Sequence, residues 1–74
     1  MYATAKELRN IIQNSIDTGA RAVYMDGKWI SKVVIEGREV IFYCTGQYNV
    51  PPTVILGILT GLQLDDNLRI AIVS

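Results

Sequence analysis

The sequence has no histidine and a single cysteine, Cys44. An imidazole-activated nucleophile, a Cys/His zinc cluster and an internal disulfide are therefore all excluded. Cys44 lacks its usual base, and between Tyr43 and Thr45 in a β-rich run it reads as a buried small hydrophobe. Charge of one sign is lacking too, because seven Lys and Arg balance seven Asp and Glu. That removes the broad cationic field with which proteins collect nucleic-acid phosphates non-specifically. Gly46, Gly57 and Gly61 have neither the spacing nor the context of a phosphate-binding glycine loop. Asp65-Asp66-Asn67 lacks the alternating ligands and distal glutamate of a calcium loop and reads as a helix-to-strand turn. No metal, cofactor or catalytic constellation is expected.

Long apolar runs are also missing. The stretch VPPTVILGILTGLQL, starting at Val50, falls short of the roughly 20 residues a spanning helix needs and is broken by Pro, Gly and Thr. MYATAKEL carries charge where a secretion signal would be apolar. The expectation is a soluble cytoplasmic protein with no membrane contact. At 74 residues the chain is one domain, close to the size at which a single core holds together unaided. Half of the residues are hydrophobic, which argues for an ordered fold.

Local signals divide this domain into elements. Thr4-Ala5-Lys6-Glu7 is a capping box, in which the Thr4 hydroxyl accepts from the Glu7 amide and the Glu7 carboxylate returns to the Thr4 amide. Leu8, Ile11, Ile12 and Ile16 follow at helical spacing, and Gly19 is placed to end the helix in a left-handed conformation. From residue 20 to 45 the period becomes two, and Asp26-Gly27 and Glu36-Gly37 cut the run into three antiparallel strands. Asp-Gly suits a type I′ turn, whereas Glu-Gly fits less well and belongs equally to a four-residue turn. Residues 45–50 read as a loop. Pro51-Pro52 can open a second helix, whose apolar stripe is Val54, Ile55, Ile58, Leu59 and Leu62. Gly57 and Gly61 on that helix are read as sites of close packing on the sheet. LRIAIV is a final strand. The predicted order is α-β-β-β-α-β, an α+β domain with a four-stranded, mainly antiparallel sheet and both helices on one face.

A two-residue Asp26-Gly27 loop sets Tyr24 opposite Trp29, Val23 opposite Ile30 and Arg21 opposite Lys32. The helix-facing side then holds Ala22, Tyr24, Trp29, Ser31, Val33, Ile35, Val40, Phe42 and Cys44. Trp29 and Tyr24 lean inward on this reading, with their polar tips finding water or backbone at the rim. The other side carries Val23, Met25, Ile30, Val34, Ile41 and Tyr43 among Arg21, Lys28, Lys32 and Glu39. Two short helices cover one side only, and monomers seldom leave such an apolar patch in water. Val23, Met25, Ile30, Val34 and Ile41 are therefore the expected surface of a homo-oligomer. Arg21, Lys28, Trp29, Lys32, Tyr43 and Tyr24 are the expected contacts for a partner or an anion. Arg21 beside Lys32 is a like-charge pair that Glu39, on the diagonal, would relieve.

The function these features point to is a non-catalytic binding module of regulator or inhibitor type that holds or blocks a protein partner. The alternative is a binder that sequesters a nucleotide or similar anion at a subunit interface. A weaker third reading is RNA or DNA binding across the open sheet face.

Overall fold

The computed structural model describes all 74 residues. Strand β1 (Tyr2–Thr4) leads into helix α1 (Ala5–Asp17), followed by a small hairpin of β2 (Tyr24–Met25) and β3 (Lys28–Trp29). Then come β4 (Lys32–Glu36), β5 (Glu39–Tyr43), helix α2 (Pro52–Leu62) and β6 (Arg69–Val73). The main sheet is ordered β1-β6-β5-β4, and the β2-β3 hairpin is a separate two-stranded unit. The α+β class and the two helices agree with expectation; the α-β-β-β-α-β element order and the mainly antiparallel sheet are corrected, because β1 precedes α1 and the second expected strand is broken into β3 and β4. β6 is antiparallel to β1 but parallel to β5, so the sheet is mixed. Parallel neighbours need a long crossover, and α2 supplies it.

Helix α1 forms where the capping signal places it. The Thr4 hydroxyl accepts from the Glu7 amide at 3.2 Å and donates to the Glu7 carboxylate at 3.0 Å. The carboxylate thus accepts from the Thr4 hydroxyl and not from the Thr4 amide. The other first-turn amides are satisfied by the polar break before β6, with Ala5 N–H donating to the Leu68 carbonyl and Lys6 N–H to that of Asp66. Asp66 also pairs with Arg9, so the turn docks onto α1. At the far end Gly19 stands at φ +72°. Its amide donates to Ile16 and that of Ala20 to Ser15, the two bonds of a Schellman motif.

Helix α2 begins with Pro at its first positions and ends on Gln63 in the left-handed region. Gly57 and Gly61 are solvent-exposed and a Cβ on either would meet nothing within 4 Å. The close packing expected of them is therefore absent, and Val54, expected in the buried stripe, is exposed.

One core cluster joins Ala5, Leu8 and Ile12 of α1, Ile55 and Leu59 of α2, and the inward residues Val40, Phe42, Ile70 and Ile72 of the sheet. Both helices therefore cover the same face. The cluster also takes in Val23 and Ile30, which are fully buried. The hairpin has the expected register, Tyr24 with Trp29 and Met25 with Lys28, and both Asp26 and Gly27 have positive φ as a type I′ turn requires. It is not hydrogen-bonded into the main sheet as a strand. The chain turns at Ser31, whose amide and hydroxyl both donate to the Tyr43 carbonyl, with the hydroxyl also reaching that of Thr45. That turn reverses the faces, so that Ile30 and Val33 both pack inward although three apart. Gly46 lies against it: a Cβ there would sit 3.1 Å from the Ser31 Cβ, with φ at +151°. Only glycine fits both demands.

Candidate functional site

The sheet face away from the helices is the candidate site. Its rows follow from the ladders: Tyr2, Ala71, Ile41 and Val34 lie abreast across all four strands. Val73, Tyr43 and Lys32 form a second row, and Glu39 and Glu36 pair at the hairpin end. Arg69 stands beside Thr4 on the same face. Val34, Ile41, Tyr43 and Ala71 are half-buried by their neighbours, while Tyr2 and Val73 are exposed. Both cations lie on aromatic rings, with Lys32 Nζ 4.9 Å from the centre of Tyr43 and Arg69 Cζ 4.7 Å from that of Tyr2. At exposed sites such contacts contribute about 0.5–1 kcal/mol each. They also hold the phenol rings as flat, cation-tipped platforms suited to a partner's apolar or carboxylate groups.

At one end of this face the parallel pairing of β5 with β6 has not yet begun, since their first paired residues are Ile41 and Ala71. A cleft of about 450 Å³ opens there, lined among others by Tyr2, Arg38, Glu39, Ile41 and Arg69. Val40, Leu68 and Ala71 complete a mainly apolar lining, at which two guanidinium groups and one carboxylate supply charge of both signs.

The expected site residues divide between this face and elsewhere. Lys32, Val34, Ile41 and Tyr43 are on the open face. Val23 and Ile30 are core residues, which corrects their assignment to an oligomer surface, and Met25 packs half-buried against that core. Tyr24, expected to lean inward, is exposed. Trp29 is half-buried and its indole N–H is enclosed with no hydrogen-bond partner, contrary to the expected rim contact. Arg21 is exposed before the hairpin, where its carbonyl accepts from the Asn49 amide. Lys32 faces Tyr43, so the predicted pairing with Arg21 does not form. Glu39 lies opposite Glu36 rather than diagonal to Lys32. Arg21, Lys28 and Lys32 do not make one groove, because Lys28 and Lys32 line different cavities and Arg21 neither. Tyr2, Arg69, Ala71 and Val73 were not anticipated. The alternation of Arg69 and Ala71 against Ile70 and Ile72 carries their signal, but its use requires knowing that β6 is central.

Lys28 and Asp26 approach Cys44 instead. Cys44 is buried, and desolvation pushes its thiol above the ordinary value of 9.0, Lys28 opposing the shift and Asp26 adding to it. The folded state thus keeps its proton to higher pH than the unfolded state. Its contribution to stability is full below the unfolded pKa and is lost as pH rises through the folded one. We expect the urea midpoint of the native chain to fall between pH 8 and pH 10 by more than that of Cys44→Ala, and equal falls would contradict this. A thiol reagent at pH 8 should likewise label the native chain far more slowly than the urea-unfolded chain.

No protein-family model, curated protein or solved structure matches this chain. No helix is long and apolar enough to cross a membrane.

Proposed function

We propose that the chain is a non-catalytic binding module of regulator or inhibitor type, which self-associates through its sheet and holds or blocks a protein partner. The observation that supports this reading is the uncovered sheet face, with an apolar row from Tyr2 to Val34 flanked by Lys32 and Arg69. Interfaces are marked by such arrangements, in which aromatic and apolar groups sit at the centre and charges at the rim. The test is retention of a partner from the native source on immobilised chain. The wild type and the helix-side variant Gln13→Glu should retain the same protein in fixed stoichiometry, and Ile41→Glu should lose it. Equal recovery by all three, or none by the wild type, would remove the proposal.

A second reading rests on the cleft containing Arg38 and Arg69. Guanidinium groups favour phosphate and carboxylate by forked hydrogen bonding, and Tyr2 offers a stacking surface beside them. On this reading the chain sequesters a nucleotide or similar anion. A ligand bound only by the folded state must raise the melting temperature, so a flat response across a nucleotide panel would dismiss it.

A further inference from the structure

The outer edge of β4 is unpaired. β4 is the last strand of the sheet, has no proline, and runs Lys32-Val33-Val34-Ile35-Glu36. The turn joining it to β5 has Gly37 and Arg38 at its centre, and of these only Gly37 has positive φ, the type II′ pattern of a two-residue hairpin. The closing pair of such a hairpin, here Glu36 with Glu39, exchanges both of its hydrogen bonds. Alternation along the ladder then turns the backbone groups of Glu36, Val34 and Lys32 toward β5. Those of Val33 and Ile35 point outward, and Ile35 is 49% exposed although it lies on the helix-covered side.

We propose that this edge is the seam of a homodimer, in which β4 pairs antiparallel with β4 of a second copy about a two-fold axis at Val34. The inference rests on the self-association just proposed and specifies its surface. The strand is complementary to its own reverse. With Val34 opposite the second Val34, Lys32 of each copy lies opposite Glu36 of the other, and Val33 lies opposite Ile35. The outward amides and carbonyls of Val33 and Ile35 then meet their counterparts in four backbone hydrogen bonds. Lys32 and Glu36 fall at the non-hydrogen-bonded positions, where opposed side chains come closest.

Neighbouring registers lack this match. Centring the axis on Val33 sets Lys32 opposite Val34, and centring it on Ile35 sets Glu36 opposite Val34. The pairing also answers a fault in the single chain, where Glu36 faces only the like-charged Glu39. In the dimer a second-copy Lys32 flanks Glu36 on its other side. The result is an eight-stranded sheet whose apolar row runs unbroken from Tyr2 through Ala71, Ile41 and Val34 into the same residues of the second copy. The binding face is thereby doubled and made two-fold symmetric.

The test combines light scattering after size exclusion with charge reversal and cross-linking. Up to about 1 mM chain, the weak end of the affinity scale, the wild type should show twice the mass of one chain. Lys32→Glu and Glu36→Lys each create two like-charge contacts by symmetry and should weaken the dimer by roughly tenfold or more. The double variant Lys32→Glu with Glu36→Lys restores opposite charges and should recover it, which mere misfolding would not do. Val34→Cys places two thiols across a non-hydrogen-bonded pair with Cα atoms about 4.5 Å apart, within disulfide reach. It should cross-link under mild oxidation, with the wild type, whose only thiol is buried, as control. A dimer indifferent to both reversals and uncross-linked would overturn the β4 seam and leave self-association standing. A monomer throughout the concentration range would overturn both.

Discussion

Ile30→Lys is expected to unfold the chain, whereas Ile41→Lys is expected to leave it folded. Both residues are isoleucines on strands or their margins, and simple alternation assigns both to the outer sheet face. In the structure Ile30 is fully buried among the core residues, because the chain turns at Ser31 and folds the hairpin inward. A lysine there has an ammonium group with no partner in an apolar surround. The cost of an uncompensated buried charge is about 3–5 kcal/mol, which matches the lower end of the roughly 4–11 kcal/mol that the general range per residue implies for a chain of this length. Ile41 lies on the open face, where a lysine can extend into water. Urea denaturation followed by circular dichroism separates the two. If Ile30→Lys melts with the wild type, the inward-folded hairpin is wrong and with it the division of the two faces.

The other large effect is at Phe42. This side chain is fully buried at the centre of the sheet, between Val33 of β4 and Ile72 of β6, and faces the core shared by both helices. Truncation removes the ring from every layer at once. Phe→Ala changes in cores cost about 3–5 kcal/mol, and each kcal/mol lowers the midpoint of a domain this size by roughly 4–8 °C. Phe42→Ala should therefore melt at least about 12 °C below the wild type or not fold at room temperature. Phe42→Leu, which keeps most of the volume, should lose clearly less. A loss below roughly 1 kcal/mol for the alanine variant would mean that the helices do not close on this face.

The candidate site was legible in part. Val34, Ile41 and Tyr43 share a face whichever two-residue or four-residue turn joins β4 to β5, since an even change of register preserves alternation. The structure uses Gly37-Arg38 as the central pair, and those residues stay together. Alternation puts Lys32 on the same face for the same reason. The remainder was not legible because it depended on partners distant in sequence. β1 is three residues long, too short for a periodic signal, and exists because β6 pairs with it. Arg69 and Tyr2 become neighbours only through that pairing. Periodicity misplaces the hairpin residues because it assumes a continuous strand, and Ser31 interrupts it with hydrogen bonds to carbonyls twelve and fourteen residues away.

What the sequence determined by itself is local: the Thr4 and Gly19 ends of α1, the Asp26-Gly27 turn, and the two-sidedness of β4 and β5. Each rests on interactions within a few residues, so a short window contains all the atoms that decide it. Tertiary structure alone decided that β6 enters between β1 and β5, that the hairpin leaves the sheet to close the core, and that β4 is left as an edge strand with its outer side unpaired. These are choices among competing long-range pairings, and the apolar area they bury is a property of the assembled layers that no single segment carries.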